Sequence, residues 1–344
     1  MDTRPNNKKN FSLNLSQKQT TSETLSELFS IELPSKVDKV ISLIDENQDQ
    51  YHENFGHQWR RFSKLQLDSY NGSSESEDRL LNQSELSSQD FFGKNVLEIG
   101  SGNGRFTEIL LKYGAKVVSV DYSSAIYANF ENHLAAVQSN NLICLRADVF
   151  EMPIKKEAFD IVLCYGVIQH TGNNEKCLQT LAEYVSPSGL LLVDIYSNSI
   201  KDLNPFTYMI RPIFSRLITD HSKRMNAVEK FVNFIFPIQL KILSFVKDKS
   251  GIWKVIRLIV NRSPNSVYGI NLYLDEKISL ESAKNWSICD TNDAWTPQHD
   301  KPVSFLKWNN ILNSLSAKAA LKILVVKKCG QGNCALLQKN GMLD

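Results

Sequence analysis

No run of about eighteen uncharged apolar residues, the length a spanning helix needs, occurs anywhere in the 344 residues. A membrane-crossing helix is therefore not expected. The first thirty residues are polar and lack the apolar stretch of a secretory signal. Charge of one sign is missing too: 39 Lys and Arg face 37 Asp and Glu, and the net +2 gives no global pull toward nucleic acid. Six cysteines, Cys144, Cys164, Cys177, Cys289, Cys329 and Cys334, form no C-x-x-C pair and no cluster with metal-ligand spacing. Cys144 and Cys164 fall inside apolar runs, where a thiol behaves as a small hydrophobe. That usage suits a reducing, cytoplasmic setting. No internal repeat divides the chain.

What the chain does have is VLEIGSGNG at residues 96–104. The apolar run Val96–Ile99 reads as a parallel strand buried on both faces. It enters a turn with glycine at Gly100, Gly102 and Gly104, where the missing Cβ lets backbone approach a ligand. A helix predicted from Arg105 to Tyr113 then points its N-terminus at that ligand. A dinucleotide fingerprint needs G-x-G-x-x-G, and Arg105 stands where its third glycine would be. A second strand, Lys116 to Val120, ends at Asp121, placed to accept the hydroxyls of a ribose. A third, Leu142 to Leu145, ends near Asp148, within reach of an adenine edge. A fourth, Phe159 to Tyr165, runs into GVIQHT.

In this order and spacing, the segment from about Asn95 to Tyr196 resembles the class I S-adenosylmethionine-dependent methyltransferases. The resemblance implies an α/β fold: a doubly wound, Rossmann-like, seven-stranded sheet ordered 3-2-1-4-5-7-6, its last strand antiparallel. Leu321 to Val326 and Asn333 to Gln338, joined at Gly330-Gln331-Gly332, read as the closing hairpin. The implied cofactor is S-adenosyl-L-methionine, over the glycine turn, with Asp121 on its ribose, Asp148 on its adenine, and Tyr122, Val149 and Tyr165 beside it. Glu98 either supports the turn or meets the methionine amino group. His170 faces the acceptor in relatives with a GV-x-x-HT segment, where it either takes a proton or pins the loop. An F-G-x-Q-W stretch in similar enzymes covers the cofactor, which makes Gln58 and Trp59 lid residues. The alternative is an aromatic helix packed on the sheet. CDTNDAWTP, with Asp290, Asp293 and Pro297, echoes a further element of the same relatives, and Asp290, Asp293 and His299 are alternative bases. No catalytic metal is indicated.

Around this core, residues 1–22 read as a disordered tail and 23–90 as a helical extension, with helices over Ser22–Ser30 and Ser35–Glu46. The core proper occupies 91–200 and resumes at 269–344. Between them, residues 201–268 read as a basic cap of amphipathic helices broken at Pro212, Pro237 and Gly251. From 205 to 264 there are eleven Lys and Arg but only Asp220, Glu229 and Asp248 of opposite sign. The cap either covers the active site or meets an anionic membrane through residues 205–262. The [ND]-P-P-[YF] segment of base-amino methyltransferases is missing, as is any RNA-binding module, so no nucleic-acid partner is expected. The acceptor is expected to be a small molecule, a sugar or secondary metabolite, or a lipid-linked compound, methylated on O, N or C. A membrane-associated lipid or quinone methyltransferase and a non-catalytic, cofactor-binding regulator are the competing readings.

Overall fold

The computed structural model describes residues 24–34, 36–44, 50–199, 205–218, 220–296, 300–330 and 332–341. The expected tail, Gln331, Pro297 and His299 lie outside these residues. The N-terminal part holds β1 (Ile41–Ser42), α1 (Gln50–Arg61), α2 (Asp68–Asn71) and α3 (Glu75–Ser84). Strand and helix then alternate: β2 (Asn95–Ile99), α4 (Arg105–Lys112), β3 (Lys116–Asp121), α5 (Ala125–Asn132), α6 (Leu134–Gln138) and β4 (Leu142–Arg146). They continue through β5 (Phe159–Cys164), α7 (Asn174–Tyr184) and β6 (Val185–Tyr196). The helical stretch α8 (Pro205–Leu217), α9 (His221–Val246), α10 (Ile252–Asn261), α11 (Tyr268–Leu274) and α12 (Leu280–Trp295) follows. The chain closes with α13 (Phe305–Ala319), β7 (Leu321–Cys329) and β8 (Gly332–Lys339).

One eight-stranded sheet results, in the order β1-β4-β3-β2-β5-β6-β8-β7. Without the short edge strand β1, this is the expected seven-stranded order. β8 runs antiparallel between β6 and β7, and the rest pair in parallel. The apolar runs of β2 to β5 are buried because helices cover both faces. Trp308 and Phe159 fill one face, Phe91 and Leu110 the other. A third apolar cluster, away from the sheet, joins α9 to α11 and α12 through Val232, Phe236, Ile270 and Trp286. The helical layer thus runs on to Trp295, beyond residue 268.

Several local expectations are corrected. Within the expected helix Ser35–Glu46, the described residues 36–44 are not helical: Ile41–Ser42 pairs with Leu145 and Arg146, and Val37 is buried against the sheet. The open edge of β4 offered unpaired backbone groups, and satisfying them outweighed a helical periodicity. Of the expected helix Ser22–Ser30, the described residues 24–30 hold one 3-10 turn, Leu25–Leu28, after which Phe29 bridges Ile154. Pro212 and Pro237 sit inside α8 and α9 rather than breaking them. Both prolines are exposed, and packing of the opposite helix face keeps the helix going. Only Gly251, at φ 67°, separates two helices. Finally, Cys329 and Cys334 form a disulfide across the β7–β8 hairpin, although the cysteine usage read as that of a reducing setting. The other four cysteines are free and buried.

Candidate active site

The three glycines of the turn serve different ends. All have positive φ (72°, 55° and 90°), which side chains rarely adopt. A Cβ on Gly100 would lie 2.0 Å from Val167 Cγ2, and one on Gly104 2.3 Å from Asn129 Oδ1. Gly100 lets the turn approach the loop after β5, and Gly104 lets α4 approach α5. At Gly102 a Cβ would meet only the Trp59 indole, at 3.7 Å. That glycine faces open space, a cavity of about 1660 Å³ at the carboxyl ends of the strands. Ligands of doubly wound sheets bind at this edge. The volume exceeds the ~300–1,000 Å³ of a single-ligand pocket, which leaves room for two reactants.

Asp121, at the tip of β3, borders this cavity and is braced by the turn itself. Its Oδ2 accepts the Gly102 N–H at 2.8 Å, and Oδ1 accepts Ser123 N–H at 2.8 Å and Ser123 Oγ at 2.7 Å. Tyr122, Asp148 and Val149 line the same wall, and Asp148 Oδ1 holds its own loop by accepting Phe150 N–H at 2.9 Å. Tyr165, just past the end of β5, continues this wall, edge-on to Phe106 at 5.6 Å between centroids. Burial pushes its phenol pKa up. Three buried polar atoms on this wall have no hydrogen-bond partner: Ser101 Oγ, Asn103 Nδ2 and Tyr165 Oη. Buried polar groups rarely stay unsatisfied, so a polar ligand fits there.

Glu98 lies beneath the turn instead of in the cavity. Its Oε2 accepts Thr107 Oγ1 at 2.5 Å and Ser119 Oγ at 2.7 Å, tying β2 to α4 and β3. Burial pushes its carboxyl up to about 7. Gly104 is likewise set back from the cavity wall. Gln58 is turned away as well. Its Nε2 donates to Asp293 Oδ1 at 2.8 Å and to Cys289 Sγ at 3.1 Å, and its Oε1 accepts Asn292 Nδ2 at 2.5 Å. It joins α1 to α12 and does not lid the pocket, because consecutive helical residues point about 100° apart. Trp59, the next residue, does reach the cavity. His170 ends a short 3-10 turn and lines the cavity between Phe55, 5.5 Å away, and Tyr196, 5.8 Å away.

The opposite wall comes from residues scattered along the chain. Asp290 and Asp293 sit one turn apart on α12. Burial lifts Asp290 to about 6, held back by the Ser266 hydroxyl; burial and the Asp290 charge lift Asp293 to about 7. Sequence reasoning missed two arginines here. Arg79, on α3, pairs with Asp194 at 2.7 Å, and Asp194 also accepts Gly166 N–H at 2.5 Å. Among the described residues, Arg105 hydrogen-bonds to two neutral groups, Gln66 Oε1 and Ser76 Oγ, each at 3.3 Å. Burial and the nearby Arg79 push it down to about 10. Its place directly after Gly104 was the one available signal.

Residues 97–193 match the family model described as "Methyltransferase domain". The core of this chain is thus similar, over those residues, to a methyltransferase domain. Curated relatives over this domain include the ubiquinone biosynthesis O-methyltransferases of Coxiella burnetii (strain RSA 493 / Nine Mile phase I) and Bradyrhizobium diazoefficiens. The first is 29% identical over 110 residues, 32% of this chain and 46% of the relative. The second is 34% identical over 109 residues, 32% and 42% of the two chains. The chain thus spans less than half the length of these relatives. Among solved structures, an O-methyltransferase family protein from Burkholderia thailandensis aligns with TM-score 0.44 at 10% identity, over 78% of this chain and 57% of that one. A SAM-dependent methyltransferase from Aquifex aeolicus aligns with TM-score 0.41 at 12% identity, over 82% and 97%. No helix of the described residues is long and apolar enough to cross a membrane.

Proposed function

We propose that the protein transfers a methyl group from S-adenosylmethionine to a small-molecule acceptor. The observation that carries this reading is the turn itself: Gly102 open to the cavity, Asp121 beside it, and unsatisfied Ser101 and Asn103 atoms on the same wall. When bound, the cofactor supplies a methyl group already activated as a sulfonium. The chain's work is then to bind and align. The carboxylate of Asp121 takes the ribose hydroxyls, Asp148 the adenine amino group, and Ser101 and Asn103 the methionine end, while Tyr122, Val149, Tyr165 and Trp59 exclude water. Orientation of this kind contributes about 7–11 kcal/mol to such a step. His170, facing the acceptor end, takes the proton that the acceptor loses.

Calorimetry and product assay test this together. The protein should bind S-adenosylmethionine and release S-adenosylhomocysteine with hydroxyl-bearing acceptors. Asp121→Ala should weaken binding by roughly tenfold to a hundredfold, the loss of hydrogen bonds to a charged group. Absence of any binding would overturn the reading, and binding without turnover would leave a regulator. A second reading makes the acceptor a lipid or quinone and brings residues 205–262 to an anionic membrane. The names of the curated relatives and the exposed apolar surface of the cap favour it; a sugar is the alternative.

A further inference from the structure

The apolar surface of this molecule is unevenly placed. Of the twenty large apolar side chains exposed among the described residues, eleven fall within 205–262. The extreme is α10, which buries no residue fully. Ile252, Val255 and Ile259 stand 66%, 49% and 65% exposed at the three- and four-residue spacing that puts them on one face, with Leu258 beside them. α10 packs on α9, where Trp253 meets Phe245 at 5.2 Å. The outward side of α9 sets exposed Phe234 and Ile238 among exposed Lys230 and Lys241, while Lys249 lies over the Phe245 ring. A soluble surface scatters such residues singly; a contiguous apolar face rimmed by lysines belongs at a boundary. Lysine stems lie along the apolar layer while their ammonium groups reach toward phosphate.

We propose that the outer face of α9 and α10 rests in the headgroup layer of an anionic bilayer, and that the acceptor enters the cavity from there. Charge selects this occupant. A second copy would bring one strongly basic segment against another, eleven cations and three anions on each side, whereas an anionic leaflet neutralises it. Leu258, Asn261 and Arg262, at the C-terminal end of α10, also line the cavity. A lipid-borne acceptor can therefore pass from the bilayer to the methyl-transfer site without crossing bulk water. This deepens, and rests on, the reading of the acceptor as a lipid-linked compound.

Flotation of the full chain with phosphatidylcholine vesicles, with and without phosphatidylglycerol, tests it. Binding should require phosphatidylglycerol and fall away at high salt. Val255→Ser with Ile259→Ser, both solvent-facing, should weaken it roughly tenfold or more. Lys241→Gln with Lys254→Gln should weaken it roughly thirtyfold. Affinity for S-adenosylmethionine should be unchanged in both, which separates this inference from the methyl-transfer reading. No flotation at low salt would overturn the proposal. So would vesicle binding that ignores both double variants. So would light scattering that shows a dimer which Val255→Ser with Ile259→Ser dissolves while leaving flotation intact.

Discussion

The two walls of the cavity are built differently. One is made by the turn after β2 and the tips of β3, β4 and β5, with backbone groups and short-range spacing dictating where each side chain stands. The other is assembled from α1, α3 and α12, elements more than two hundred residues apart at their extremes, and depends on side-chain hydrogen bonds such as Gln58 to Asp293. The first wall suits a ligand of fixed shape, the nucleoside of the cofactor. The second can vary without disturbing the sheet, as a wall for an acceptor should. A lesion in the first should cost binding of the nucleoside, and one in the second should cost acceptor chemistry.

The largest effect is expected where the two walls meet. His170→Ala should lower kcat by about 10²–10⁴ while leaving cofactor affinity intact, the usual contribution of a positioned general base. Asp293→Asn should then cost far less. If the loss falls on Asp293→Asn and spares His170→Ala, proton transfer belongs to α12, and the rate should rise with pH through about 7, where burial and Asp290 place the Asp293 carboxyl.

Next comes the turn. Gly100→Ala forces a Cβ to 2.0 Å from Val167 at φ 72°. Left-handed strain and overpacking together should remove roughly 4 kcal/mol, visible as a lower melting temperature and lost cofactor binding. Gly102→Ala has the strain without the clash, so it should cost roughly half as much. Equal losses at the two positions would mean that conformation, not shape, governs the turn.

This first wall was largely legible from the sequence because its information is local. An apolar run, alternate glycines and a carboxylate at each strand tip recur in an order that parallel pairing enforces. The closing hairpin was legible for the same reason. Elsewhere the deciding partner was distant. β1 exists because the β4 edge was open, and Pro212 and Pro237 remain helical because of what packs behind them. The Arg79–Asp194 pair spans from α3 to β6, and nothing near either residue announces the other. Gln58 and Trp59 are adjacent in one motif, yet only the position of α12 decides which of them reaches the cavity.

Glu98 offers a test of the floor beneath both walls. The folded protein holds its proton to about pH 7, whereas the ordinary value is 4.5. As pH rises from 4.5 to 7 the unfolded chain releases the proton and the fold does not, so stability falls across that window and levels off above it. The full excursion amounts to roughly 3 kcal/mol. Glu98→Gln should flatten the dependence and leave the variant as stable as the wild type, or more so, at pH 8 in thermal unfolding. Asp290 and Asp293, also raised, tilt the curve the same way, so some slope should survive.

The smallest effect separates neighbours. Trp59→Ala removes the indole over Gly102 and should weaken cofactor binding by roughly tenfold, about the contribution of one partly buried ring. Some stability should go with it, since Trp59 also packs against the apolar cluster of α9, α11 and α12. Gln58→Ala should act chiefly on stability. It strips donors and acceptors from Asp293, Cys289 and Asn292, buried or half-buried groups whose lost partners cost roughly 1–3 kcal/mol, so the melting temperature drops. Cofactor affinity should hold, while the Asp293 carboxyl, followed by NMR titration, moves to a higher pKa, because the Gln58 amide was lowering it. If Gln58→Ala weakened the cofactor as much as Trp59→Ala does, α1 would act as a unit and the two walls would be one.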